Sequence, residues 1–143
     1  METKKYTSKV QLDIDASPER IWRALTSPKD VKQYMMGAEL ETDWKVGGPV
    51  VWRGEFKGKK FEDKGTVLHF DKPEHLAYTH ISPSSGEKDE PENCREIHIR
   101  LSMKEDRTHV VLTQDNNPSA EAKRESEKNW KMMMAGLKKI AEK

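Results

Sequence analysis

The sequence contains a single cysteine, Cys94, so no disulfide can form within the chain. Such sparse use of cysteine is typical of proteins from a reducing compartment. The sequence also has no apolar run near the roughly 20 residues that a membrane-spanning helix needs. Residues 1–9 are polar and lack the apolar centre of a secretory signal. These absences predict a soluble, cytoplasmic protein with no membrane span.

The chain also has no strong excess of charge of one sign. Its 26 lysines and arginines nearly balance 25 aspartates and glutamates, whereas nucleic-acid-binding domains usually carry a basic surface. We therefore expect no nucleic-acid partner. Apolar residues make up 34% of the chain, which is sufficient for a core, and 143 residues fit one domain over residues 1–143.

Recognisable catalytic and metal-binding motifs are missing. Gly47-Gly48 has no following lysine, as a phosphate-binding loop requires, and no strained serine turn of a hydrolase is present. Glu62-Asp63 is interpreted as solvated charge. None of the histidines forms a short pair with metal-ligand spacing, so the sequence predicts no metal site and no cofactor. The histidines are His69, His75, His80, His98 and His109.

What the sequence does contain is clear periodicity. Val10, Leu12 and Ile14 alternate with polar residues, which predicts a first strand with one buried face. Ser17-Pro18 and Ser27-Pro28 are typical helix starts, so two short helices should follow. Asp30 is placed to complete a capping box with Ser27, and the second helix should stop near Gly37.

The middle of the chain reads as strands joined by short turns, at residues 38–44, 50–56, 61–70, 76–80, 97–103 and 110–114. Gly65, inside one of them, predicts a bulge or bend. His98 and His109 fall on outward phases of neighbouring strands, which leaves a surface pair of the two imidazoles open. A polar segment at residues 82–93 is long enough to serve as a lid.

A long final helix is predicted for residues 119–142. Trp130, Met133, Met134 and Leu137 follow the spacing of one helix face. Residues 119–128 carry almost no large apolar side chain, so that half should be less buried. Because strands joined by short turns must be antiparallel, the order predicts an α+β fold. A curved sheet of about six or seven strands should wrap around the final helix, with two short helices after strand 1. A cavity between sheet and helix is physically natural.

Several segments resemble the homologues of the activator of the ninety-kilodalton heat-shock protein ATPase, in the START-like (SRPBCC) superfamily. The matching segments are SPERIWRALTSPKDVKQYM, DWKVGG, FEDKGTVLHFDKPEHLAYTH, PEN, THVVLTQDNNPS and NWKMMMAGLKKI. The resemblance implies the helix-grip fold. Members of the superfamily bind lipids, hormones and other apolar molecules, and a few catalyse cyclisations or hydrolyses. Co-chaperone members carry an additional N-terminal domain, whereas the matching segments here cover a single domain. The resemblance therefore implies a single-domain, bacterial-type member.

Aromatic and aliphatic side chains predicted to face the gap between helix and sheet are the candidate ligand-binding residues. They either line a pocket or simply fill the core. Tyr78 offers a hydroxyl, and His80, in phase with it, offers an imidazole that could bind a ligand or act as a general base. The full set is Trp44, Trp52, Tyr78, His80, Ile97, Ile99, Leu112, Trp130, Met133, Met134 and Leu137.

Three functions remain open on the sequence alone. The first is non-enzymatic binding of a small hydrophobic molecule or lipid in the cavity. The second is a co-chaperone or stress-response role, in which the lysine-rich helix contacts a chaperone or another protein. The third is a small hydrolase or cyclase that uses His80 and Tyr78. If the cavity opens, residues 119–128 and 82–93 are the expected gate.

Overall fold

The computed structural model describes residues 6–35, 37–56, 58–81 and 94–143. Seven strands and three helices occur in these ranges, and they confirm the α+β helix-grip architecture. In chain order they are β1 (Tyr6–Ile14), α1 (Pro18–Thr26), α2 (Pro28–Tyr34), β2 (Glu39–Thr42), β3 (Pro49–Phe56), β4 (Lys59–Asp71), β5 (His75–His80), β6 (Arg95–Lys104), β7 (Arg107–Asn117) and α3 (Ala120–Ala141). The polar segment at residues 82–93 lies outside the described residues, and so does the lid predicted there.

The seven strands form one antiparallel sheet in the order β1-β7-β6-β5-β4-β3-β2. From β2 to β7, strands that are consecutive in the sequence are also neighbours in the sheet, and every pair is antiparallel. β1 pairs with β7, so the first and last strands lie side by side. Helices α1 and α2 follow β1 and pack against α3. The inner face of the sheet, α3 and the two short helices enclose the core.

Capping residues explain where the helices begin. The Ser17 hydroxyl accepts a hydrogen bond from the Arg20 amide at 3.1 Å, which confirms it as the N-cap of α1. Ser27 is the N-cap residue of α2 but makes no side-chain capping bond, so the predicted capping box with Asp30 is wrong. The Asp30 carboxylate instead lies 3.8 Å from the Arg20 guanidinium, because a partner from α1 is within its reach.

Helix α3 is buried unevenly, as its sequence predicted. Its buried residues begin at Trp130 and continue through Met134, Leu137, Ile140 and Ala141. The Ser119 hydroxyl caps the helix by accepting from the Ala122 amide at 3.0 Å. Among the described residues, no helix is long and apolar enough to cross a membrane.

An irregularity in β4 changes which side chains face the core. Val67 pairs with Tyr78, but His69 pairs with Ala77, so β4 has one extra residue between these two pairs. Because side chains alternate along a strand, one extra residue moves all later ones to the opposite face. Val67 therefore faces the core before the bulge and Phe70 faces it afterwards, where its ring contacts Trp22 at 5.2 Å.

Gly65 lies just before this bulge. A side-chain carbon at this position would lie 1.7 Å from the Thr79 carbonyl oxygen. The predicted bulge is present in β4, but it does not lie at Gly65 itself. The glycine is required by a close approach of two backbones, and the bulge itself begins two residues later.

Candidate functional site

A cavity of about 240 Å³ lies between the sheet and the N-terminal half of α3. It is the space that remains because that half of α3 carries small and polar side chains. The walls are formed by Met35, Ala38, Trp52, Phe61, Asp63, Tyr78, His80, Ile97, Gln114, Ser126, Asn129, Trp130 and Met133. Most of the exposed cavity wall is apolar, as is usual for small-molecule sites.

The structure brings about half of the predicted ligand-binding residues to this cavity. Those that line it are Trp52, Tyr78, His80, Ile97, Trp130 and Met133. Trp44, Ile99 and Met134 surround a separate space of about 10 Å³, which is too small for a ligand. Leu112 and Leu137 are fully buried and belong to the walls of neither space. Ile99, Leu112, Met134 and Leu137 therefore lie in the packed core, and the partly buried Trp44 packs against it.

Aromatic rings form one side of the cavity. Trp52 and Tyr78 are in contact at a centroid distance of 5.1 Å, and Trp52 also meets the His80 ring edge-on at 5.6 Å. Burial raises the pKa of the Tyr78 hydroxyl, so this group stays protonated and can donate a hydrogen bond. The side chains offer a flat apolar surface next to one hydroxyl donor.

A histidine–carboxylate pair forms the polar end of the cavity. His80 Nε2 lies 3.1 Å from Asp63 Oδ2, and both side chains are about one quarter exposed. Asp63 was interpreted from the sequence as solvated charge, and this is wrong. It lies in phase with Phe61 on the inner face of β4, where it meets His80 from β5. When Nε2–H donates to Asp63, a neutral His80 carries its lone pair on Nδ1.

A second polar group joins the cavity wall to the edge of the sheet. Trp130 Nε1 donates to Gln114 Oε1 at 2.7 Å, and Gln114 Nε2 donates to Asn117 Oδ1 at 3.1 Å. The Asn117 amide then donates to the Ser8 hydroxyl at 2.8 Å and to the Tyr6 carbonyl at 3.0 Å. This network connects α3, β7 and β1, so it fixes the Trp130 indole in the wall.

The Ser126 hydroxyl faces the cavity from α3. Its oxygen is buried, and within the described part of the chain it has no hydrogen-bond partner. Buried hydroxyls nearly always have a partner in native proteins. An unsatisfied hydroxyl in a cavity wall is therefore available to a bound molecule.

Trp44 has a structural role that the sequence did not reveal. It lies between β2 and β3 with a positive φ of 57°, a conformation that is uncommon for a bulky residue. Its indole Nε1 donates to the Thr26 carbonyl at the end of α1 at 2.9 Å, and its ring stacks on Phe70. Trp44 therefore joins the short helices to the sheet and is not a wall residue of the cavity.

The surface pair of His98 and His109 that the sequence left open does not form. They lie on neighbouring strands, but His98 is opposite Thr113 and His109 is opposite Ser102. His109 instead contacts Asp13 on β1 at 2.7 Å. The outward orientation of both residues was predicted correctly, but their separation along the strands depends on the register, which the sequence pattern did not specify.

Three polar wall residues were not predicted from the sequence, although the periodicity of their strand or helix places each of them on the inner face. Asp63 shares the inner phase of Phe61, and Gln114 continues the alternation of Leu112. Ser126 lies four residues before Trp130, which is the spacing of one helix face. Polar side chains on an apolar face are the signal that could have identified them.

Comparison with known proteins agrees with the fold. The family model described as "Activator of Hsp90 ATPase homolog 1-like protein" matches residues 15–142. The chain belongs to this family. No protein of curated function matches the chain.

Solved structures of other members of the fold are similar over almost the whole chain. Protein ChR145 from Cytophaga hutchinsonii is 43% identical, with a TM-score of 0.84 over 96% of this chain and 94% of that one. Protein CV1439 from Chromobacterium violaceum is 21% identical, with a TM-score of 0.83 over 96% and 97% of the two chains. The Aha1 dimer from Colwellia psychrerythraea is 21% identical, with a TM-score of 0.76 over 96% of each chain. The last two support the fold alone.

Proposed function

We propose that this family member binds a small, mostly apolar molecule with one hydrogen-bonding group, in the cavity between α3 and the sheet. The observation that supports this most is the composition of the wall. Aromatic rings cover one side of the cavity, while the Asp63–His80 pair and the Ser126 hydroxyl provide the polar groups in its wall. A core that served only for packing would gain stability by filling such a space.

The size of the cavity limits the ligand. An apolar cavity of about 150 Å³ holds benzene, so 240 Å³ is enough for a compact molecule of one or two rings or a short acyl chain. A phospholipid with two long chains would need a larger space. Among the hydrophobic molecules and lipids expected from the sequence, the smaller ones therefore fit best.

The polar end selects the head group of the ligand. The Asp63 carboxylate lies in the wall, so a second carboxylate would be repelled there. A hydroxyl on the ligand could donate to the free Nδ1 of a neutral His80, and it could accept from Ser126 or Tyr78. A phenol or an alcohol is therefore a better ligand for this cavity than a fatty acid.

Binding of 1-naphthol, naphthalene and 1-naphthoate, measured by calorimetry, tests this proposal. We expect 1-naphthol to bind most tightly and 1-naphthoate most weakly. Ser126→Met extends a side chain into the cavity from α3 and should abolish binding of all three molecules. Glu125→Met is the matched control, because the neighbouring residue is exposed and the substitution leaves the cavity open. If Ser126→Met bound 1-naphthol as well as the parent protein does, the cavity would not be the site.

A catalytic role is the second candidate, and the Asp63–His80 pair is the observation that favours it. A carboxylate that orients an imidazole is the arrangement of a general base. His80→Gln would remove the base but retain a donor for Asp63, so it should abolish a hydrolase or cyclase activity. Equal turnover of an ester panel by parent and variant would exclude this role.

The family name makes a co-chaperone role the third candidate. It would use the lysine-rich outer surface of α3 rather than the cavity. Retention of the protein on an immobilised chaperone, compared between the parent and a Lys131→Glu/Lys139→Glu variant, distinguishes it from ligand binding. Both lysines are exposed, so the variant should fold normally.

A further inference from the structure

Three histidines lie close together on the outer face of the sheet, opposite to the cavity. His69 on β4 pairs with Ala77 on β5, and Ala77 pairs with His98 on β6. Two of the histidines therefore lie in one row across the sheet, with Ala77 between them. In the adjacent row, His75 pairs with Asp71. Ala77 is completely buried although it faces outward, because larger side chains flank its methyl group.

The bulge in β4 produces this arrangement. Without the extra residue between Val67 and His69, the side chains of His69 and Asp71 would point toward the core. The bulge sends both to the outer face, where His75 already lies. The spacing of these residues along the sequence therefore gives no sign that they meet.

The imidazoles are stacked and hydrogen-bonded in a defined order. The ring centroids of His69 and His75 are 4.7 Å apart, and those of His75 and His98 are 5.1 Å apart. His75 Nε2 lies 2.9 Å from His98 Nδ1, and His98 Nε2 lies 3.1 Å from the Glu96 carboxylate. The Glu96 carboxylate can only accept, so it selects the donor at His98 Nε2.

This order determines where the lone pair of a neutral His75 lies. If His98 donates from Nε2 to Glu96, its Nδ1 accepts, and the proton of His75 must then be on Nε2. The lone pair of His75 is therefore on Nδ1, on the side of Asp71. His75 Nδ1 lies 3.9 Å from Asp71 Oδ2, and His69 Nδ1 lies 4.0 Å from the same oxygen. Both distances are too long for a hydrogen bond.

We propose that His69, Asp71 and His75 form a binding site for a divalent transition-metal ion of the zinc class, with His98 as a positioning residue. One ligand atom from each of the three residues lies within 4.8 Å of the others. Two imidazoles and one carboxylate are a typical three-ligand zinc set that leaves a further position open to water. A ligating histidine usually donates its second N–H to a fixed acceptor, and His98 is that acceptor for His75.

Small side-chain rotations complete the site. Ligand atoms lie about 2.0–2.2 Å from zinc, so the three side chains must move closer together. His69 and Asp71 are more than half exposed and can rotate, whereas His75 is held by His98. Arg100 pairs with His75 on β6 and places a positive charge nearby, which opposes cation binding. Its guanidinium is exposed and can turn toward solvent.

Imidazole ligands determine which ions are accepted. Zinc, copper, nickel and cobalt bind imidazole well, whereas magnesium and calcium prefer sites made of oxygen atoms. Zinc should therefore bind and magnesium should not. A bound ion would connect the ends of β4 and β5 beside their turn.

Calorimetric titration of tag-free protein with zinc chloride and magnesium chloride tests the proposal. A Cys94→Ser background removes the one thiol that could bind zinc elsewhere. We expect one zinc ion per chain and no binding of magnesium. His69→Gln and Asp71→Asn should each weaken zinc binding at least about tenfold, because even the loss of a residue that only orients a ligand costs about that much. The matched control is His109→Gln, which removes an outer-face imidazole beside a different carboxylate, Asp13.

The positioning role of His98 has its own test. His98→Phe keeps a stacking ring but removes the acceptor for His75, so zinc affinity should fall about tenfold. His98→Gln keeps an acceptor and should recover part of the loss. Imidazole nitrogen chemical shifts provide a second measurement, in which zinc should move the signals of His69 and His75 but not that of His109. Equal loss of affinity in His109→Gln and His69→Gln, or zinc-induced shifts at His109 alone, would overturn the proposal.

Discussion

Gly65 determines how closely β4 and β5 approach each other. The Lys64 and Ile81 backbones exchange hydrogen bonds of 3.0 and 2.9 Å, and the Thr79 side chain accepts from the Thr66 amide. The backbone at Thr79 therefore lies so close to Gly65 that no side chain fits at that position. Beyond this point the bulge begins, and it places Phe70 on the inner face and His69 and Asp71 on the outer face.

Substitution of Gly65 should be costly. Gly65→Ala places its Cβ against the Thr79 carbonyl, so we expect the free energy of unfolding to fall by about 3 kcal/mol, the upper end for overpacking. Gly58→Ala is the comparison, because that turn glycine has a positive φ of 80° but open space around it. Its cost should be only about 1 kcal/mol. Urea denaturation measures both, and equal losses would show that the close approach is unimportant.

His75 should make the stability depend on pH. Burial, followed by the positive charge of Arg100 and the neighbouring His69 and His98, lowers its pKa below the ordinary value of 6.5, while Asp71 acts in the opposite direction. As the pH falls through 6.5, the unfolded chain binds a proton that the folded protein resists. The free energy of unfolding should therefore decrease.

The His75→Gln variant isolates this contribution. Glutamine does not titrate but retains a donor for His98, so the decrease in stability below neutral pH should be smaller in the variant. Urea denaturation at a series of pH values, without added metal, measures the difference. Parallel curves for parent and variant would contradict the lowered pKa of His75.

At the level of elements, α3 has two halves that are held by different forces. From Trp130 onward the helix packs by apolar contact. Before Trp130 it is held by polar groups: the Lys9 amide donates to Glu127 at 3.0 Å, and the Ser8 hydroxyl lies 3.4 Å from the Lys123 carbonyl. Hydrogen bonds to solvent-accessible groups are weaker restraints than buried apolar area. If the cavity opens, we therefore expect it to open at the end of α3 that lies over it.

Hydrogen exchange along α3 tests this difference. Amides at residues 122–128 should exchange faster than those at residues 130–140, because opening the first half exposes little apolar surface. A saturating cavity ligand such as 1-naphthol should slow exchange in the first half most. Uniform protection along the helix in the free protein would rule out gating at this end.

Asn117 contributes side-chain hydrogen bonds that connect β1 with β7 and with the Gln114–Trp130 pair. Asn117→Ala removes the amide that contacts Tyr6, Ser8 and Gln114, and it leaves buried acceptors unsatisfied. We expect a loss of about 2–3 kcal/mol in the free energy of unfolding. Ser102→Ala, on the exposed face of β6, should change it by less than about 0.5 kcal/mol. A loss at Asn117 as small as that at Ser102 would show that the network is dispensable.

At the level of the whole molecule, the sequence predicted the elements and the packing of α3 on the sheet. Alternation in β6 and the stripe around Leu137 are local patterns, and each element's buried face follows from them. The cavity could be anticipated only as a gap, because its polar end depends on contacts between strands. Asp63 and His80 are 17 positions apart and meet through the pairing of β4 with β5.

The cluster of His69, His75 and His98 was even less predictable from local sequence patterns than the cavity. A constant alternation along β4 assigns His69 to the inner phase, and only the bulge reverses it. No local pattern specified the extra residue, since it results from the pairing of β4 with β5. Single-domain organisation over residues 1–143 and a cytoplasmic location stay predictions.

The central claim is that the space beneath the first half of α3 is a ligand site. Nuclear Overhauser contacts between bound 1-naphthol and the protein test it most directly. We expect contacts from the naphthol ring to the side chains of Trp52, Trp130 and Met133, and their loss in Ser126→Met. Contacts confined to exposed side chains such as Val46, Met103 or Met132, with none to Trp52, would contradict it.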